Sequence, residues 1–172
     1  KSRSRGLGDV YKRQVLGKEL SSSGLFHFDQ DGNVRRVQNL GARIDKYGDI
    51  TGVYEELIQL PNGAVSFVSN IKFYDGTDVP EIIYSKAQNL ENAPLRKHHF
   101  KIGLRDYSVV LGTGKAALLL NPYARVSSAC VVGDGQKFKS KIGKWVKLRR
   151  DRLYRLEFDD FGEVWSVEQN CG

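Results

Sequence analysis

The chain has 172 residues, a formal net charge of +7, 27% charged, 40% hydrophobic and 10% aromatic residues, and no methionine. That length suits one domain with a sizeable core, and the composition excludes a polar unfolded tail. No apolar run approaches the ~18 residues of a membrane-crossing helix, so a helical membrane protein is excluded as well.

The first fourteen residues stand apart. Ser4 to Gln14, reading SRGLGDVYKRQ, resembles the in-frame translation of a transposon-type sequencing adapter, so residues 1–14 are expected to be a disordered, non-native leader outside the fold. Five cations against Asp9 place +4 of the charge there, leaving +3 for the other 158 residues. Residues 15–172 are expected to form a single domain.

Val15 to Ser23 carries little signal. Gly24 to Phe28 and Asn33 to Gln38 then read as a hairpin about Asp29-Gln30-Asp31-Gly32, where glycine can take the positive φ of a tight loop. The pattern from Phe28 to Val37, F-D-x-x-G-x-V-x-x-V, recurs without a gap from Phe158 to Val167. Two copies are too few for a repeat architecture, and shared turn chemistry is the simpler reading. Asp31-Gly32-Asn33 lacks the ligand spacing of a calcium loop and reads as a turn.

Ile50 to Leu60 and Ala64 to Tyr74 predict two long paired strands about Pro61-Asn62-Gly63. In the second, Val65, Phe67, Ile71 and Phe73 share one side, and Ser66, Asn70 and Lys72 the other. Asp75-Gly76 turns the chain, Pro80 opens a strand from Glu81 to Ser85, and Lys86 to Leu95 reads as a loop with room for one helical turn. Further strands are expected over His99 to Arg105, Tyr107 to Leu111, Ala116 to Leu120, Arg125 to Val132 and Gln136 to Ile142. Their breaks fall at Asp106, Gly112 to Lys115, Asn121-Pro122 and Gly133 to Gly135. The last third supplies three consecutive antiparallel strands, Lys144 to Arg149, Arg152 to Phe158 and Glu163 to Glu168. In the middle one Tyr154, Leu156 and Phe158 face the core, while Leu153, Arg155 and Glu157 face water. About a dozen short strands without intervening helices predict an all-β antiparallel meander. The succession of hairpins favours a barrel of lipocalin-like size over a two-sheet sandwich.

The two cysteines fit no metal or redox spacing. Cys130 is expected to be a buried thiol, with a bridge to Cys171 as the other reading; a bridge would indicate an oxidising compartment. Gly112-Thr113-Gly114-Lys115 resembles a phosphate loop only superficially, because Val109 stands where the first glycine belongs and Ala116 where a Ser or Thr belongs. His98 and His99 are adjacent on a strand, so they point to opposite faces and cannot chelate one metal; His98 is expected to face the core. No cofactor motif, metal site or catalytic constellation emerges.

The remaining signal is charge. From Lys137 to Arg155 nine basic residues stand against Asp151 alone, a local +8. Segregated charge of this kind concentrates anionic partners. The candidate anion-binding residues are Lys137, Lys139, Lys141, Lys144, Trp145, Lys147, Arg149 and Arg152. Lys137, Lys139 and Lys141 are expected on one strand face, and Trp145, Lys147 and Arg149 on another. An anionic polysaccharide, a single-stranded nucleic acid stacked on Trp145 or an anionic surface would suit them. Lysines on exposed strands also serve to block edge pairing, which needs no ligand. The function expected is a non-catalytic binding module. One alternative is a carrier barrel for a small apolar ligand, with Phe67, Phe73, Phe100, Ile102, Leu118 and Leu120 lining its pocket. Another is a carbohydrate-active enzyme on a β-sandwich, for which no acid/base pair stands at an interpretable spacing.

Overall fold

The computed structural model describes residues 3–4, 11–22, 25–53, 56–86 and 96–172. Within them the protein is all-β, with nineteen strands and no helix, and thus no helix long and apolar enough to cross a membrane. The loop expected after Lys86 lies outside the described residues.

The strands run in chain order as β1 (Arg3–Ser4), β2 (Tyr11–Val15), β3 (Lys18–Ser22), β4 (Leu25–Phe28), β5 (Val34–Gln38), β6 (Ala42–Ile44) and β7 (Ile50–Val53). They continue as β8 (Ile58–Leu60), β9 (Gly63–Val65), β10 (Val68–Phe73), β11 (Pro80–Ser85), β12 (His98–Ile102) and β13 (Arg105–Leu111). The final six are β14 (Ala116–Leu120), β15 (Val126–Val132), β16 (Lys137–Lys139), β17 (Trp145–Lys147), β18 (Leu153–Phe158) and β19 (Val164–Gln169). Thirteen of them form one sheet, in the order β1-β4-β5-β10-β11-β14-β15-β13-β12-β9-β8, with β18 added to β15 and β19 to β18. β2–β3, β6–β7 and β16–β17 are separate two-stranded ribbons. All the ladders are antiparallel; two isolated bridges, Ser85 to Thr113 and Tyr154 to Asn170, are parallel. The order departs from a plain meander where β5 pairs with β10, β11 with β14 and β15 with β18. The two ends of the path, β1 and β8, do not pair, and no closed barrel forms among the described residues.

One turn chemistry builds much of this fold. The Asp29 side chain accepts hydrogen bonds through Oδ1 from the amides of Asp31 and Asn33, both at 2.9 Å. Asp45 does the same for Tyr47 and Asp49, Asn121 for Tyr123 and Arg125, and Asp159 for Phe161 and Glu163. Such side chains reproduce a backbone turn, which is why Asp and Asn favour these positions. The fourth loop residue is left-handed in each, at Gly32, Gly48, Ala124 and Gly162. A fifth turn, from Ser140 to Gly143, has the same backbone bonds. The echo between Phe28 and Phe158 is therefore part of a larger set, and Asn121, Ser140 and Asp159 follow at intervals of 19 residues.

After four of these turns the returning strand carries one extra residue. Val34 pairs with Phe28 but Arg36 with His27, leaving Arg35 in a bulge; Thr51, Ser127 and Trp165 are its equivalents. A bulge shifts the alternation by one. Val34 and Val37, three apart, consequently both reach the core, as do Val126 and Ala129.

The centre is β15. It pairs with β14 and β13 in succession along one edge and with β18 along the other, and five of its seven residues are buried. Around it packs one cluster including Phe26, Val37, Ile71, Ile83, Leu118, Val131 and Leu156.

Several expected elements are corrected. The long strand after Asn62 is two strands, because Phe67 is left-handed with φ 55°, so β9 pairs with β8 and β12 while β10 pairs with β5 and β11. That reversal half-exposes Phe67 and buries Ser66, whose amide donates to His98 Nε2 at 3.4 Å. The other long strand is also shorter: β7 pairs back onto β6, which the hydropathy pattern did not mark. The β12–β13 hairpin turns at Gly103-Leu104, not at Asp106, which sits in strand opposite Lys101. In the last third, β17 pairs with β16 and not with β18. Apart from these corrections, the described part of residues 1–14 has Arg3–Ser4 paired with Phe28 and His27, and Tyr11 to Gln14 paired with Glu19 to Ser22.

Candidate functional site

The basic stretch forms the β16–β17 ribbon. Its register sets Lys137 opposite Lys147, Phe138 opposite Val146 and Lys139 opposite Trp145. Strand alternation turns Phe138 and Val146 against the core and leaves Lys137, Lys139, Trp145 and Lys147 on one exposed face. Trp145 is 61% exposed, with Lys139 Nζ 5.9 Å from its ring centroid, a weak cation–π contact. The two faces expected from the sequence are thus one face, because pairing brings the strands side by side.

The electrostatics of this face are unfavourable to the free protein. Lys137 and Lys147 are directly opposed like charges, which destabilise a strand pair. Among the described residues no carboxylate lies within salt-bridge distance of Lys137, Lys139 or Lys147. Lys137 and Lys139 repeat at about 7 Å along the strand, the two-residue step of extended chain.

Beside the ribbon lies a groove of about 350 Å³, with Arg105, Tyr107, Lys137, Lys139, Trp145 and Glu163 among its walls. Arg105 is held by Glu163, at 2.8 Å from Nη2 and 2.9 Å from Nε. The Tyr107 hydroxyl donates to the Gly162 carbonyl, and burial pushes the phenol's pKa up, so it remains a neutral wall. Its ring packs on Phe138 and Phe158, with centroids 6.1 Å and 4.9 Å away, and fixes the ribbon to the core.

The other anion candidates fall elsewhere. Lys141 is in the turn, not on the strand, and its Nζ donates to Asp159 Oδ2 at 3.3 Å. Lys144 is exposed at the end of the same turn. Arg149 and Arg152 are exposed on the next turn, with the Arg149 amide donating to the Tyr154 hydroxyl at 2.9 Å.

Arg155, read as a solvent-facing residue, is 8% exposed. Its strand is paired on both edges and covered on both faces. Nη2 donates to the carbonyls of Ala116 and Cys171 at 2.8 and 3.1 Å, and Nη1 to Ser128 Oγ at 3.4 Å. Burial lowers its pKa, while Glu157 and Glu168 oppose that shift. Cys130 is likewise not a thiol but is bridged to Cys171, with Cα atoms 5.7 Å apart. Bridge and guanidinium together hold residues 170–172 against β15 and β14. The bridge is the second of the two readings the cysteines allowed, while the role of Arg155 was not legible, a lone arginine amid Tyr154, Leu156 and Phe158 being the available hint.

Of the apolar-pocket candidates, Phe73, Phe100, Ile102, Leu118 and Leu120 pack into the core. Phe67 is half-buried beneath Arg96, whose guanidinium carbon lies 5.3 Å from the ring centroid. Ile102 lines a cleft of about 290 Å³ that also contains Asn62, Lys101, Arg125, Asp159 and Asp160. Its two carboxylates are consecutive in the chain, and Asp159 is committed to its turn and to Lys141. The amide bond from Glu163, with Lys141 and Phe161 adding to it against some desolvation, holds its pKa below the usual carboxylate range. Asp159 is therefore a poor proton donor. His98 faces the core and stacks on Phe100, while His99 is exposed, as their adjacency required. Among the described residues no group of three or more His, Cys, Asp or Glu side chains is placed to hold a metal. Comparison of the chain with family models, with curated proteins and with solved structures finds no match, so its function rests on this geometry.

Proposed function

We propose that this protein is a non-catalytic β-domain that binds an anionic polymer on the outer face of the β16–β17 ribbon. The observation that carries the reading is the placement of Lys137, Lys139 and Lys147 together with an exposed Trp145 on one face, with no carboxylate of the described residues within salt-bridge distance of the three lysines. Opposing like charges cost stability in the free protein and are relieved when an anion bridges them. Cations repeating along a strand suit a ligand with repeating charge, such as a sulfated or carboxylated polysaccharide, and Trp145 offers a ring for stacking. The adjoining groove supplies Arg105 at its margin. The Cys130–Cys171 bridge suits an oxidising compartment, where such polysaccharides occur.

For the architecture, the open strand path and the packing of β13 across Phe158 through Tyr107 support a layered sheet over a closed barrel. The carrier alternative has weaker support, since its residues fill the core. The enzyme alternative also has weaker support, since Asp159, one of the two carboxylates in the cleft, is a poor proton donor.

The test is retention on heparin and on single-stranded DNA across a salt gradient, against a neutral matrix. The parent should elute from heparin above physiological salt, and the variant Lys137→Ser/Lys139→Ser/Lys147→Ser at or below it. Equal elution of the two at low salt would reduce the lysines to protection against edge pairing. Stronger retention on DNA than on heparin would move the ligand class to nucleic acid.

A further inference from the structure

In four of the capped or equivalent turns the third residue is a large apolar side chain standing clear of the fold: Tyr47, Tyr123, Ile142 and Phe161. Leu104, at the tip of β12–β13, does the same. Four of these five tips adjoin. A Cβ placed on Gly103 would lie 2.1 Å from the Phe161 carbonyl oxygen, so the β12–β13 tip rests directly on the β18–β19 turn. The amide of Lys141 donates to the Val164 carbonyl at 2.8 Å, which seats the Ser140 turn against the same element. The cleft of about 290 Å³ is walled by Gly103, Asn121, Arg125 and Asp159, which puts the Asn121 turn on the other side. Leu104 is 93% exposed, Tyr123 82%, Ile142 85% and Phe161 77%, a concentration of bare apolar side chains at one end of the molecule.

Their neighbours decide what they fit. Lys101, Arg105, Arg125, Lys141 and Lys144 belong to the same strand ends and turns, a mixture of apolar tips and cations unlike the charge-depleted core of a protein interface. Asp159 and Glu163, two of the four carboxylates there, are paired with Lys141 and Arg105, leaving Lys101, Arg125 and Lys144 against Asp106 and Asp160, a small positive excess. A bilayer surface takes this chemistry: apolar and aromatic tips pass between headgroups while lysine and arginine stay at the phosphates.

We infer that this end of the protein docks on an anionic membrane surface, with Leu104, Tyr123, Ile142 and Phe161 inserted into the headgroup region. The inference rests on the reading of the ribbon as an anion-binding element, since the turn that carries Ile142 joins β16 to β17 and has Lys139 and Trp145 at its base.

Flotation of the full chain with vesicles tests it. One set is phosphatidylcholine alone; in the other phosphatidylserine replaces about a third of it. The parent should float with the anionic vesicles, and the tryptophan emission, from the exposed Trp145 and Trp165, should shift to the blue. The variant Leu104→Ser/Tyr123→Ser/Ile142→Ser/Phe161→Ser should bind them at least about tenfold more weakly, with heparin retention and melting temperature unchanged. A parent that is retained on heparin but does not float overturns the membrane inference and leaves the ribbon reading standing; a parent that does neither overturns both. A tip variant that floats like the parent also overturns insertion. Should the fourfold variant fail to fold, Leu104→Ser and Ile142→Ser singly, the two most exposed, carry the same comparison.

Discussion

Lys147 and Arg155 belong to one run of basic residues, yet they end in opposite environments. Lys147 stands on an exposed ribbon opposite another lysine, while Arg155 lies in a strand flanked by β15 and β19 with three acceptors around its guanidinium. The difference is not in the side chains but in the number of strand edges that are paired. A charge on a two-stranded ribbon keeps its water; a charge at the sheet's centre must find acceptors or destabilise the fold. One cation holds the chain together, and the other remains available to a partner.

The sharpest way to break the contrast is at the buried side. Replacing Cys130 and Cys171 by Ala frees the segment that supplies one of the Arg155 acceptors. With the bridged cysteines 41 positions apart in sequence, loss of the cross-link should cost about 4 kcal/mol by chain entropy, read as a drop in the urea midpoint. Arg155→Met should cost roughly 2–4 kcal/mol, because the Ala116 and Cys171 carbonyls lose their donor inside the protein. It should leave heparin retention unchanged once folding is complete. A cost near zero would show that the guanidinium is hydrated and that the two environments do not differ.

At the exposed side the expected signs reverse. Lys147→Glu turns an opposed like pair into an ion pair with Lys137 and should stabilise the protein by about 0.5 kcal/mol, while heparin retention falls. A variant both less stable and equally retained would refute the ligand role. The smallest effect concerns the turn between the two regions. Asp159→Asn keeps the turn chemistry that Asn121 already uses but removes the charge facing Lys141. Since the folded pKa of Asp159 is depressed, its stabilisation is complete above the ordinary aspartate value and is lost as pH falls through the lowered one. The melting-temperature gap between parent and variant should be present at neutral pH and close in that acid window.

Turns were the most legible feature of the chain. Asp29 and Asp159 revealed their shared loop through a fixed pattern, and the central apolar strands over Ala116 to Val132 were equally plain. The Asn121 copy was hidden because Ala124 occupies the left-handed position that glycine holds elsewhere, and the Ser140 copy because its first residue caps with no side-chain bond shown. Phe67 was misplaced for a related reason: a left-handed residue inside an apolar run leaves no compositional mark.

The local chemistry of the sequence was enough to establish an all-β antiparallel fold, several of the turns, such as those at Asp29 and Asp159, and the segregation of positive charge near Lys137 to Arg155. These follow from alternation and from side chains bonding their own backbone within a few residues. Which strand pairs with which, whether Cys130 meets Cys171, and which cations face water were decided only in three dimensions. Each depends on contacts between groups far apart in the chain, as where β13, β14 and β18 share the edges of β15, and the periodicity of a single strand does not record those partners.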